Sequence, residues 1–416
     1  MEYLNMYHEK LIENLILKIS ECKEKIHTIS DSEPEKLKQA YDDHNYYFRY
    51  SMLGMHYHFL PEALEKWENL VQQISNKVFG DQFSLTYINK GLRKYFHENY
   101  ENYDSENLSS FLSELKENAS DLLFYIPLYG VRLSKQELSI GNFSLKTVEA
   151  VKDEISALAP HLRLDIMLDR TIEPNQVLLI NNYQTDSEKA LDITLTQTNR
   201  FIDILNWKFS QLIQPADDMK YLVSLQKPRH DNLNYFSLSN KKSITTNFKS
   251  LFSTYSLDLN IDIIEGHICN NEVSWLVELI TQEKINDYYD AILKSIHWFS
   301  QFWIEQQSDN KLLYLAISLE ALLSEAFATS SFVSDRVAFI LGKDKVSRLK
   351  LRDLSKKLYD LRSDIAHGNN INIVQDQDLH ELEIITRKVI QYALNNRDTF
   401  DSLKEFKKSI DEKKYQ

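Results

Sequence analysis

The stretch Leu358-Tyr359-Asp360-Leu361-Arg362-Ser363-Asp364-Ile365-Ala366-His367-Gly368 ends a long segment with helical spacing, and its reading decides how the C-terminal part of the chain folds. The helix predicted over Val346 to Ala366 stops here because Gly368 suits the left-handed position after a helix end, and Asn369-Asn370 continues the turn. On either side of it the pattern is helical again. Trp275 to Thr281, Ile285 to Gln306, Asn310 to Phe327, Val333 to Leu341 and Asp376 to Asn396 read as helices with short connections, the signature of an antiparallel bundle.

Upstream the texture changes. Leu122 to Leu133, Leu138 to Val148, Leu162 to Leu168 and Val177 to Tyr183 are short runs rich in branched and aromatic residues, separated by turn-prone residues, and read as strands. A helix over Asp186 to Leu212 follows and ends before Pro215; further strands are expected near Tyr221 to Leu225, Tyr235 to Leu238 and Ile261 to Ile264. Residues 3–118 read as amphipathic helices, with Leu11, Leu15, Ile16 and Ile19 at helical spacing. The expected class is therefore mainly α with a β-containing middle section. Four regions follow from this: a helical N-terminal region (1–120), an α+β middle region (121–270), a helical bundle (271–400) and a charged C-terminal tail (401–416).

Composition removes several classes of function. The 416 residues carry a net charge of −13, which argues against non-specific coating of nucleic acid, because most of the surface repels a phosphate backbone. The 8 glycines form no G-x-x-x-x-G-K-[ST] or G-x-G-x-x-G loop, so no nucleotide-hydrolysing or dinucleotide site is expected, and G-x-S-x-G and H-E-x-x-H are absent. Cys22 and Cys269 are too few for a disulfide framework and lack metal-ligand spacing. His56 and His58 form an H-x-H pair without a ligand-spaced partner and read as packing or surface residues. The longest apolar run, Leu122 to Val131, is too short to span a bilayer, and the N-terminus lacks a signal pattern, so no membrane association and a cytoplasmic location are expected. No metal and no cofactor are implied.

The chemistry concentrates at Arg362 and His367. An imidazole titrating near neutrality moves a proton at a ribose hydroxyl, and a permanently charged guanidinium holds a phosphate. The spacing alone is weak: with 13 arginines and 12 histidines, one such pair is expected about 0.4 times by chance, and Arg49/His56 is a looser decoy. The approach to the pair adds weight. From Leu341 to Arg362 eight basic residues (Lys343, Lys345, Arg348, Lys350, Arg352, Lys356, Lys357, Arg362) face three acids (Asp344, Asp353, Asp360), and Lys350, Arg352, Lys356 and Lys357 are the candidate RNA-holding side chains. The competing reading is a solvated helix face, with Arg362 paired to a bundle acid and His367 serving as a C-terminal cation.

Three pieces in this order, Tyr314-Leu315-Ala316-Ile317-Ser318-Leu319-Glu320-Ala321-Leu322-Leu323, Asp335-Arg336-Val337-Ala338 and the Leu358–Gly368 stretch, resemble the Apea-like branch of the HEPN superfamily over roughly the last 140 residues. The resemblance implies a metal-independent endoribonuclease of the R-x4-6-H type, used in antiviral defence, as a toxin or in RNA processing, and active as a homodimer through its bundle. It places Arg362 and His367 in the catalytic positions. Ser363 fills the polar position after the arginine, and Tyr359 either packs the site or touches substrate, with packing favoured. The RNA target is a transfer, ribosomal or messenger RNA, and residues 1–270 are expected to sense a phage-derived or other trigger. A different class of function, a non-catalytic module for dimerisation or ligand binding, fits the same bundle.

On an ideal helix Arg362 and His367 stand about 140° apart and about 7.5 Å along the axis, so they do not share a face. Two such helices meeting about a two-fold axis would line one cleft with both pairs. Ser363 and His367, four residues apart, are close enough for a hydroxyl to orient the ring.

Overall fold

The computed structural model describes residues 2–42, 48–101, 103–158, 177–212, 219–220, 222–225, 232–239, 243–250, 255–256, 259–261, 265–282, 284–305, 307–325, 330–367 and 374–415. They are mainly helical with small sheets, and they divide into two compact units: residues 1–123 with 182–194, and residues 124–181 with 195–416. The expected strand over Leu162 to Leu168 and the Gly368 helix stop lie outside the described residues.

In the first unit, α1 (Glu2–Lys23), α3 (Pro61–Ile74), α4 (Leu85–Glu98) and α5 (Ser105–Glu117) enclose a core that includes Leu15, Ile19, Trp67, Leu70, Leu92 and Phe96. Helix starts follow their capping residues: Ser84 accepts from the Tyr87 amide at 3.0 Å and Asp104 from Asn107 at 2.7 Å. The purely helical reading of this region misses a three-stranded antiparallel sheet, β1 (Ile26–Ser30), β2 (Phe48–Met52) and β3 (Met55–Phe59), ordered β1-β3-β2. Strands of five residues leave too short a period-two signal to stand out between helices. One face presents Ile26, Tyr57 and Phe59 to the core. On the other, His56 lies between Asp31 (2.5 Å) and Ser51 (2.6 Å), and His58 is buried. Among the described residues no group of histidines, cysteines and carboxylates is arranged to hold a metal ion.

The second unit joins a four-stranded sheet to the bundle. The sheet comprises β4 (Ser120–Leu128), β6 (Glu137–Ile140), β7 (Phe143–Thr147) and β8 (Val177–Thr185), ordered β4-β8-β7-β6 and antiparallel from β6 through β7 to β8. The short β5 (Val131–Arg132) pairs in parallel with Leu259–Asn260. Beyond α6 (Val148–Leu158), α7 (Ser187–Leu212) ends as expected ahead of Pro215. The bundle proper contains α8 (Asn271–Thr281), α9 (Asp287–Ile304), α10 (Ser308–Leu323), α11 (Ser330–Leu341), α12 (Lys345–His367) and α13 (Asp376–Asn395). Asn270 and Asn286 cap α8 and α9 through the Val273 and Tyr289 amides. Asp344 and Ser347 exchange side-chain and backbone hydrogen bonds to open α12.

Two regional boundaries change. The middle region and the bundle are not separate bodies: Leu145 and Leu179 of the sheet, Phe201 and Trp207 of α7, and Phe299 and Leu319 of the bundle belong to one hydrophobic core, with Trp207 edge-on to Phe299 at 5.0 Å. Nor are residues 401–416 a tail. They contain α14 (Leu403–Glu412), capped by Ser402, whose Phe406 and Ile410 are fully buried against the bundle. Charge dominates the composition of this segment, but two apolar residues four apart give a ten-residue helix a face that docks on the core.

The β6–β7 turn is held close to α8. Gly141 has φ of +55°, and a Cβ there would come within 2.8 Å of a Val277 methyl. Gly141→Ala is expected to destabilise the second unit by about 1–3 kcal/mol, through a left-handed backbone and an overpacked contact together, measured by urea unfolding.

Candidate active site

On α12, Ser355, Leu358 and Tyr359 are buried at the i, i+3, i+4 positions that face the bundle, and Arg362, one turn on, continues that stripe. Tyr359 donates a hydrogen bond from its hydroxyl to the Ala316 carbonyl at 3.1 Å, and complete burial holds its phenol far above its usual pKa. It is a packing residue that ties α12 to α10, not a group presented to substrate. Tyr359→Phe is expected to cost about 1 kcal/mol through the loss of that one hydrogen bond, with the chemistry of the site unchanged; thermal unfolding beside an activity assay checks both.

The Arg362 guanidinium reaches Glu320 on α10, with Nη2 at 3.4 Å from each carboxylate oxygen. The side chains are 32% and 27% exposed, so the pair is neither dry nor freely solvated. Burial pushes the Glu320 carboxyl above its usual range in spite of the adjacent cation, so the desolvation cost outweighs the attraction. At this length the pair positions Arg362 more than it stabilises the bundle. Among the described residues the arginine's buried Nε has no hydrogen-bond partner.

His367 is the last helical residue and is exposed. About 140° round the helix from Arg362, it stands outside the buried stripe. Ser363 is half-buried, and among the described residues no hydrogen bond joins it to His367, so the i, i+4 orienting contact expected of it is not formed. Within one chain the arginine and the histidine therefore point to different surroundings.

The basic approach is less open to a phosphate than its charge count suggests. Arg352 pairs with Asp335 at 2.6 Å, Lys357 with Asp378 at 2.7 Å, and Arg348 donates to the carbonyls of Gly342 and Lys413. Lys350 and Lys356 remain as exposed lysines of the candidate set. A shallow depression on the outer face of α12 is lined by Lys356 and Lys357 together with Asp353, Asp360, Leu361 and Asp364, so its lining carries one more acid than base. Sequence counting along a helix cannot anticipate this, because the neutralising acids come from α11 and α13.

Glu320 is the functional candidate that residue-by-residue reading did not single out as an active-site group, although it sits inside the quoted Tyr314–Leu323 piece. Its signal was an acid in an otherwise apolar run, Leu319-Glu320-Ala321-Leu322-Leu323, on a helix that had to face the bundle. Compared with known proteins, the chain matches no family model, no curated protein and no solved structure. Among the described residues no helix is long and apolar enough to cross a membrane.

Proposed function

We propose that the chain is a metal-independent endoribonuclease of the HEPN type, acting in phage defence or as a toxin, with residues 1–270 restraining or triggering it. The observation that carries this reading is the presence, in the last turns of one helix, of an exposed imidazole and of a guanidinium braced by a carboxylate from the neighbouring helix. In this reading the ribose 2′-hydroxyl attacks its own phosphate and His367 moves the proton as general base or acid. Arg362 stabilises the charge on the phosphoryl oxygens, and the products are a 2′,3′-cyclic phosphate and a 5′-hydroxyl. DNA is spared because it lacks the nucleophile.

The 140° divergence of the two side chains makes a homodimer part of the proposal: two copies of α12 about a two-fold axis supply an arginine and a histidine to each side of a shared cleft. The target is a cellular RNA, whether transfer, ribosomal or messenger. The Arg362–Glu320 pair also supports a second reading, a non-catalytic dimerisation or ligand-binding bundle in which the pair simply joins α10 to α12. Expression of wild type and His367→Ala, with RNA integrity and growth followed with and without phage, separates the two. Intact RNA and equal protection in both would leave the non-catalytic reading.

A further inference from the structure

Away from α12, the second unit holds a histidine fixed by a buried carboxylate. His297 on α9 makes a 2.7 Å hydrogen bond from Nδ1 to Asp203 Oδ2 on α7. Asp203 is buried, and Ser300 and Gln301 also hydrogen-bond to it. The His297 side chain is 46% exposed. A fixed carboxylate on Nδ1 sets the tautomer and plane of the ring and leaves Nε2 as the atom available to a ligand.

Two features bear on the kind of ligand this arrangement suits. Arg200 lies one helical turn before Asp203 on α7, near enough for its charge to act on the imidazole. With His297 protonated, two cations stand against one buried carboxylate, a surplus that suits an anion. Next to them is a partly exposed aromatic pair: Trp298 meets His297 edge-on at 5.3 Å and packs on Tyr314 of α10 with ring centroids 5.4 Å apart. Cations beside exposed aromatic rings are the combination that holds a phosphate and its base together.

We propose that His297 and Arg200, with Trp298 and Tyr314, bind a nucleoside monophosphate unit, its phosphate against the two cations and its base against the aromatic pair. The unit is either a free nucleotide or part of a single-stranded RNA. The proposal does not depend on Arg362 and His367 being catalytic.

Protonation tunes it. Asp203 holds the imidazole above the usual histidine range, against the opposing effects of burial and Arg200. The other charges flanking His297 on α9 are Lys294 and Asp290, which pair with each other at 2.6 Å. The cationic form is thus complete at acidic pH and is lost as pH rises through the raised pKa, so affinity falls in that direction.

The test uses the full chain, titrated separately by calorimetry with adenosine monophosphate and by fluorescence polarisation with a labelled ten-residue 2′-O-methyl oligoadenylate, which lacks the nucleophile for cleavage. Wild type is expected to bind at least one probe; preference for the monophosphate identifies a free nucleotide, and preference for the oligomer an RNA strand. His297→Gln and Arg200→Gln are each expected to weaken binding about tenfold or more, and His297→Gln to abolish its pH dependence. A purely structural His297 would leave the pH profile of binding unmoved. As a readout free of any variant, the His297 ring resonances should shift when the ligand is added. Absence of binding to both probes, or wild-type affinity in both glutamine variants, would overturn the proposal.

Discussion

His367→Ala is expected to cut RNA cleavage by about 10²–10⁴-fold, the usual contribution of a positioned proton-transfer group, while leaving thermal unfolding unchanged. The second half of this expectation follows from its place: His367 is exposed at the end of α12, outside the stripe that packs on the bundle, so its truncation removes no core contact. Arg362 gives the contrasting case. Its loss strips Glu320 of a partner and leaves a half-buried carboxylate, so Arg362→Ala changes stability as well as activity, and Glu320→Gln serves as the control that keeps the shape and removes the charge. If cleavage requires a shared cleft, mixing inactive Arg362→Ala with inactive His367→Ala restores part of the activity, because mixed dimers hold one intact pair of side chains. Undiminished cleavage by purified His367→Ala would sink the assignment of His367 as the proton-transfer group.

Arg336→Ala is expected to lower the stability of the second unit by about 3 kcal/mol, read from the urea midpoint of the full chain. Arg336 is 1% exposed, yet each of its nitrogens is engaged. Nε and Nη2 donate to Asp411 at 2.8 and 2.7 Å, Nη2 also to Glu325 at 2.5 Å, and Nη1 to the Leu323 carbonyl at 2.6 Å. One side chain on α11 thus fastens the end of α10 to α14. Removing it leaves a buried carbonyl unsatisfied and a cavity unfilled, which set the magnitude. Asp411 and Glu325 are about half exposed and rehydrate, so they add little. Arg336→Met, which fills most of the volume, is expected to cost less than alanine, and Asp411→Ala about 1 kcal/mol, since Glu325 and Leu323 still hold the guanidinium. A change below about 0.5 kcal/mol in Arg336→Ala would show that α14 docks through Phe406 and Ile410 alone.

The bundle helices were legible because long apolar periodicity survives without knowledge of neighbours: the helix read over Val346 to Ala366 runs from Lys345 to His367, and that over Asp376 to Asn396 from Asp376 to Asn395. The β1–β3 sheet was not legible, since its strands are too short for their alternation to rise above the surrounding helices. The α14 helix was hidden for another reason. Its sequence is mostly charged, and Phe406 and Ile410 show their role only against Tyr288 and the other core residues they meet.

At the candidate sites the limit is of the same kind. Sequence alone determined the positions of Arg362 and His367 on one helix and their 140° divergence, because these follow from the geometry of a single α-helix. Only the tertiary structure decided that Glu320 meets Arg362, that Asp335 and Asp378 neutralise Arg352 and Lys357, and that Asp203 meets His297 across 94 residues of chain. Charge partners of this sort come from helices distant in sequence. Electrostatic interaction depends on separation in space, and no local pattern encodes which distant side chains the fold brings within a few ångströms.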